Sequence, residues 1–348
     1  DNVNGKIFVV NSGNHRFLKG NTSDLIGTPS WTEFGFVADR SAPDALKEPQ
    51  GIAVDGSGNI FVADTYNNQA KLYRWNPTTS TYSYDPAFAS TTRTSAAGKG
   101  IRLPRDIAIG PDGKIYLLDS GNDRILVATD ANDNSWDVFK GDQSWGNPYG
   151  FAVASDNTLY LADTDNHVIL QLSSTGAVVR TIGHYGTGYV EFRNPRDVAV
   201  GTDNRIYVAD THNHRVQVLK PDGTYYKTLG SAPLYSFIQK IAVDNQKHVY
   251  IIDSDNNALI YFPGPGVPKP YDAFMRDYDG DDGTEPSNSS FQLSSPDILV
   301  RYHPDVDIDL AKTNGLTSYA FEQPRYNENN YVYMAIRRPN KQPTSGTQ

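Results

Sequence analysis

The chain contains no cysteine. That removes disulfides, zinc–thiolate sites and thiol catalysis together. No apolar run reaches 18 residues, so no segment predicts a membrane-spanning helix. Clustered basic charge is also missing. The formal net charge is −9, and Arg337-Arg338 is the only adjacent basic pair. A phosphate-binding surface needs grouped Lys and Arg, so nucleic acid is a poor partner. Neither a Gly-rich phosphate loop nor a Ser-His-Asp constellation is present. The first residue is Asp1, with no initiator Met or signal peptide ahead of it, so the chain reads as processed or trimmed. A chain rich in Asn, Thr, Ser and Gly, with 22 Tyr and no Cys, predicts an extracellular or cell-surface location.

What the chain does have is repetition. Six times an Asp or Asn is followed three residues later by Asn, just after a short apolar run. The copies are Val10–Arg16, Ala63–Gln69, Leu118–Arg124, Ala162–Val168, Ala209–Arg215 and Ile252–Ala258. Five of them follow a second motif, at Glu48–Val54, Leu103–Ile109, Asn147–Val153, Asn194–Val200 and Phe237–Val243. Between the two motifs stand turns such as Asp55–Asn59 and Gly110–Lys114, whose Asp-Gly chemistry suits tight hairpins. Later apolar runs add a third and a fourth strand. Four short strands in each unit of about 45 residues predict an all-β fold, a six-bladed β-propeller.

The second motif alternates large apolar residues with Ala, as in Ile52-Ala53-Val54 and Val198-Ala199-Val200. Such a strand near the axis is expected to be buried on both faces. The repeated Asp is expected to accept turn amides, and the Asn to tolerate a left-handed backbone. A structural role in every blade explains these residues better than six separate chemical sites.

The blades resemble the NHL repeat family, through Asn14-His15-Arg16, Asn166-His167-Val168 and Asn213-His214-Arg215. The resemblance covers roughly residues 4 to 266 and implies a propeller without choosing its function. Family members include lyases that use axial His ligands to zinc together with disulfides. Here the recurring histidines stand in the turns, away from the start of strand one, and there is no Cys.

The organisation expected is a propeller over residues 1–274, an acidic linker over 275–293 and a distinct segment over 294–348. That segment resembles the leading half of an Ig-like β-sandwich module, through Ser295–Arg301 and Asn330–Tyr333. The resemblance implies missing strands, so the chain is either a fragment or is completed by a neighbour. Pro296–Tyr302 has a second reading, as the inner strand that the first blade lacks. Self-assembly through the C-terminal strands, around Tyr331–Ile336, is the corresponding expectation.

Two candidate sites emerge. Asp277, Asp279 and Asp281 alternate in an acidic stretch and could converge on calcium, which prefers oxygen ligands; the alternative is a solvated linker. The axial mouth, where the inner strands begin, gathers Gln50, Arg105, Asp106, Tyr149, Arg196, Asp197, Gln239 and Lys240. This polar ring suits a glycan, a carboxylate or a peptide side chain, unless its Arg and Asp pair with one another and close the channel. The function expected is non-enzymatic: a binding or structural module with a protein or glycan ligand. The alternatives are a lectin-like propeller and a calcium-dependent hydrolase or lyase, the latter needing a metal on Asp106, Asn194 or Asp197.

Overall fold

The computed structural model describes residues 5–21, 31–34, 42–88, 100–133, 135–141, 144–230, 235–256, 258–262, 264, 298–301 and 333–337. Six antiparallel sheets form six blades. The first holds β1 (Lys6–Asn11), β2 (Arg16–Asn21) and β3 (Thr32–Phe34). The second holds β4 (Gly51–Val54), β5 (Ile60–Asp64), β6 (Gln69–Asn76) and β7 (Thr81–Asp85). The third holds β8 (Asp106–Ile109), β9 (Ile115–Asp119), β10 (Arg124–Ala128) and β11 (Asp137–Gly141). The fourth holds β12 (Gly150–Val153), β13 (Leu159–Asp163), β14 (Val168–Leu172) and β15 (Val178–Ile182).

A short parallel pair follows, β16 (His184–Tyr185) with β17 (Glu191–Phe192). The fifth blade holds β18 (Asp197–Val200), β19 (Ile206–Asp210), β20 (Arg215–Leu219) and β21 (Tyr225–Leu229). The sixth holds β22 (Ile238–Val243), β23 (Val249–Asp253) and β24 (Ala258–Phe262). Two further strands, β25 (Ile298–Arg301) and β26 (Tyr333–Arg337), extend this last sheet.

One apolar cluster fills each seam between blades. Leu117 and Ile115 of the third blade meet Phe61 and Leu72 of the second. Val208 and Ile206 of the fifth meet Ala162 and Ile169 of the fourth. Ile7 meets Tyr250 and Leu259, so packing joins the sixth blade to the first. Burying each Leu, Ile or Val side chain contributes about 1.5–3 kcal/mol, which makes the seams the main source of cohesion.

In the second to fifth blades the strand buried throughout is the second. All five residues of β5, β9, β13 and β19 are buried. Strand one was expected to be buried on both faces, yet Ile52, Ala53 and Val54 of β4 are only half-buried. The reason is position. Strand one has its free edge toward the axis, whereas strand two has a sheet neighbour on each side and a blade on each face.

Of Pro296–Tyr302, the candidate inner strand of the first blade, only Ile298–Arg301 are among the described residues. These pair with β26, and β26 pairs with β24, at the outer edge of the sixth sheet. The strand expected around Tyr331–Ile336 is thus paired on both sides within the chain, because β24 offers it an open edge. Most of the Ig-like resemblance, including Ser295–Asp297 and Asn330–Val332, lies outside the described residues, as does the 275–293 linker.

The Asp–Asn turns are structural, as expected, but in a different detail. In every copy the Asn amide donates to the residue three before it, from Asn14→Asn11 at 2.9 Å to Asn256→Asp253 at 2.8 Å. The Asp carboxylate reaches back 17 residues to cap the segment entering strand one. Lys47, Arg102, Gly146, Arg193 and Ser236 each donate a backbone N–H to it, at 2.6–2.9 Å. In three blades a buried cation completes the cluster: Lys71–Asp64 at 3.0 Å, Arg124–Asp119 at 2.6 Å and Arg215–Asp210 at 2.8 Å.

The left-handed residue is the one after the Asn. His15, Asn68, Asp123, His167 and His214 all have φ between 50° and 60°. Their side chains stitch one blade to the next. His15 Nδ1 accepts from Glu48 N at 3.0 Å, Asn68 Oδ1 from Leu103 N at 2.8 Å, and His167 Nδ1 from Asn194 N at 3.0 Å. The recurring histidines therefore stand beside the entry to strand one, not away from it as the spacing suggested, because they reach into the following blade.

The residues that donate these bonds precede a proline and are themselves left-handed, with φ of 44° at Glu48 and 45° at Leu103. The two equivalent positions hold Asn147 and Asn194. A left-handed conformation costs an ordinary side chain about 1–2 kcal/mol, and Asn less. Leu103→Asn is therefore expected to stabilise the protein by about 0.5–1 kcal/mol in urea unfolding. A loss of stability instead would show that Leu103 packing outweighs the backbone strain.

Candidate functional site

Register places the site. Gly51 of β4 pairs opposite Ala63 of β5, and Asp197 of β18 opposite Ala209 of β19. The start of strand one and the Asp–Asn turn therefore share one end of the propeller. At that end the first strand-one residues run Gly51, Asp106, Gly150, Asp197 and Lys240 around the axis. The residues just before them are Gln50, Arg105, Tyr149, Arg196 and Gln239.

The inner ring is a charged lock. Lys240 Nζ lies 2.7 Å from Asp106 Oδ2 and 3.5 Å from Asp197 Oδ1. Each carboxylate also accepts from the blade beyond: Asp106 from Phe151 N at 3.0 Å, Asp197 from Ile241 N at 2.8 Å. The glycines make room for this. A Cβ on Gly150 would stand 2.0 Å from Asp197 Oδ1, and one on Gly51 only 2.6 Å from Asp106 Cα. Gly in one blade is thus the recess for Asp in the next. Burial pushes the Asp197 carboxyl up to about 7, against the opposing pull of Lys240 and with added repulsion from Asp106. Burial alone would lower the Lys240 ammonium, but the two flanking carboxylates outweigh it and leave its pKa raised.

The outer ring is a stack. The Arg105 guanidinium lies 4.5 Å from the Tyr149 ring centre and that of Arg196 lies 4.4 Å from it. Arg196 is also 4.4 Å from the Phe237 ring. Blades three, four, five and six each contribute one member. Gln239 Nε2 donates to the Tyr149 hydroxyl at 3.1 Å, tying blade six to blade four. Arg105 donates to Asn147 Oδ1 at 2.8 Å. Among the described residues no side-chain acceptor bonds Arg196, whose Nε is sealed from solvent. Gln50 Oε1 is likewise buried without a partner.

Seven of the eight residues expected at the mouth therefore form two connected layers, and Gln50, at the equivalent position in the second blade, bonds to neither. The arginines do not pair with the aspartates. The aspartates turn inward to Lys240 and to backbone amides, while the arginines spread on aromatic faces. Asn194 points elsewhere, to Thr164 O and Asp165 Oδ1 at 3.4 and 3.2 Å. Asp106 and Asp197 share the Lys240 ammonium. Asp277, Asp279 and Asp281 lie outside the described residues.

The sequence motifs missed Phe237, Asn147 and His212. Phe237 was legible as the one aromatic opening a strand-one motif. His212 sits 5.9 Å from the Phe237 ring. Its pKa is lowered by burial first, then by Arg196, Arg193, His214 and His167.

The NHL repeat family model matches residues 46–69 and 192–219. No curated protein matches the chain. Among solved structures, a streptogramin B lyase is similar, with a TM-score of 0.51 and 15% identity over 72% of this chain and 73% of that one. Virginiamycin B lyase from Staphylococcus aureus has a TM-score of 0.51 and 14% identity, over 74% of this chain and 78% of that one. A catalytically inactive variant of that lyase with quinupristin gives 0.51 and 13% over the same shares. At such identity the likeness is one of fold. The chain thus folds as a six-bladed β-propeller, two segments of which match the NHL repeat.

Proposed function

We propose that the chain is a non-enzymatic binding module of a secreted or cell-surface protein, and that it holds its ligand at the axial mouth. One observation carries this reading. Arg196 is stacked on Tyr149 and Phe237 with no carboxylate beside it among the described residues. A charge held in place without a partner is a recognition element rather than a structural bond. The inner lock supplies the rigidity, since five consecutive blades converge on it. Copies of the chain would join by strand addition at the β25 edge of the sixth sheet.

The reading is tested on glycan and peptide arrays, with the protein and its Arg196→Ala variant side by side. A ligand retained by the protein and weakened at least about tenfold in the variant is expected, as for a lost charged hydrogen bond. Equal binding by both would move the site away from the mouth. The lyases of similar fold frame the enzymatic counter-reading, and consumption of quinupristin by this chain would overturn the non-enzymatic part.

A further inference from the structure

The outer ring is unusual in what it leaves unsatisfied. Stacking on an aromatic ring covers the face of a guanidinium and leaves its in-plane N–H edge to find acceptors. Arg105 spends one donor on Asn147. Arg196 spends none on a described residue, and its buried Nε has lost water as well. A buried donor without an acceptor is unfavourable, and a ligand that supplies the acceptor relieves it. Gln50 Oε1 poses the opposite demand, a buried acceptor with no donor, at the same place in the blade preceding Arg105.

Charge points the same way. The protein carries a formal −9, yet the carboxylates nearest the mouth, Asp106 and Asp197, face inward to Lys240 and backbone amides. The Arg196 guanidinium is left without a carboxylate partner among the described residues, while Arg105 has only the more distant influence of Asp165. Arg196 adds to the burial that lowers the pKa of His212, and to the burial that lowers that of Arg105, where Tyr149, Tyr66 and Asp165 act in the opposite direction. A partly desolvated guanidinium without a carboxylate partner attracts anions.

Resting on the mouth as the binding site, we infer that its ligand is a hydroxylated carboxylate. The flat forks of Arg196 and Arg105 take the carboxylate edge-on, in the geometry guanidinium matches best. A ligand hydroxyl donates to Gln50 Oε1. Tyr149, fixed by Gln239, is the platform between the two forks. An acidic sugar combines both groups on one ring, and an acidic amino acid offers the carboxylate alone.

The test follows the arginine Nε–Hε signals by NMR on the whole chain, assigned with Arg105→Lys and Arg196→Lys. The probes are glucuronate, glucose and glutamate. Glucuronate is expected to shift the Arg196 signal saturably, glucose not at all, and added salt to weaken the effect. Arg196→Lys keeps the charge but loses the fork, and should weaken glucuronate about tenfold as judged by Tyr149-region shifts. Gln50→Leu should weaken glucuronate and leave glutamate unchanged. Glutamate binding as tightly as glucuronate would support the carboxylate and overturn the hydroxyl contact. Glucose shifting the mouth as strongly as glucuronate would overturn the charge inference while leaving the mouth as the binding site. An array ligand that binds through Arg196 but carries no acid would do the same. No shift with any probe, together with no array ligand sensitive to Arg196, would overturn both.

Discussion

Gly150→Ala should destabilise the protein by about 3 kcal/mol, at the upper end of ordinary overpacking. The new Cβ would lie 2.0 Å from Asp197 Oδ1 and 2.7 Å from Arg196 O. A carboxylate on a free side chain could swing aside, but this one is pinned by Ile241 N and Lys240. The second contact is backbone, which cannot yield without parting blades four and five. Gly56→Ala is the matched control, since nothing stands within 4 Å of that Cβ. It should change stability by no more than about 0.5 kcal/mol. Urea midpoints with unchanged slope would measure both. Removing the pinned carboxylate in a Gly150→Ala, Asp197→Ala double variant should not restore the seam fully, because the carbonyl contact persists. Equal midpoints for the Gly150 and Gly56 variants would show that the blades have slack at the axis.

Much of this was legible in the sequence because each feature has a local cause. Asp-Gly turns, apolar alternation and a recurring Asp–Asn pair are written within a few residues of one another, so the blades could be counted. The convergence of Arg105, Tyr149, Arg196, Gln239 and Lys240 followed from the repeat alone, since equivalent positions in a ring must face one axis. What could not be read was pairing across blades. Arg105-Asp106 and Arg196-Asp197 are neighbours in sequence, yet consecutive strand residues point to opposite faces. The arginines therefore meet the aromatics Tyr149 and Phe237, and the aspartates meet Lys240 from another blade. The histidine stitches were hidden for the same reason, since His167 finds its partner 27 residues on. The recesses at Gly51 and Gly150 read as ordinary glycines until the neighbouring blade is in place.

Lys240→Met should cost about 3–5 kcal/mol at pH 8, because it leaves two buried carboxylates facing each other without their cation. The cost should depend on pH in a defined direction. In the intact protein the Asp197 carboxyl is pushed up to about 7 by burial, above the value of about 3.9 for an unfolded Asp. Between those values the folded state holds a proton that the unfolded state releases. Asp197 therefore favours folding most at acid pH, and that contribution is lost as pH rises through about 7. Removing Lys240 takes away the largest of the interactions that oppose the shift, leaving only the amides of Ile241 and Val198 against it, so the carboxyl should rise further and hold its proton longer. The deficit of the variant should then be largest at pH 8 and shrink toward pH 5, where protonation does part of the work of the ammonium. Urea unfolding of both proteins at pH 5, 6.5 and 8 measures this directly. Adding Asp197→Asn to Lys240→Met removes one of the two charges, and should recover stability at pH 8 while changing little at pH 5. A deficit that stayed constant across that range would mean that Lys240 acts by filling space, and that the axial lock is held by the backbone amides of Phe151 and Ile241 alone.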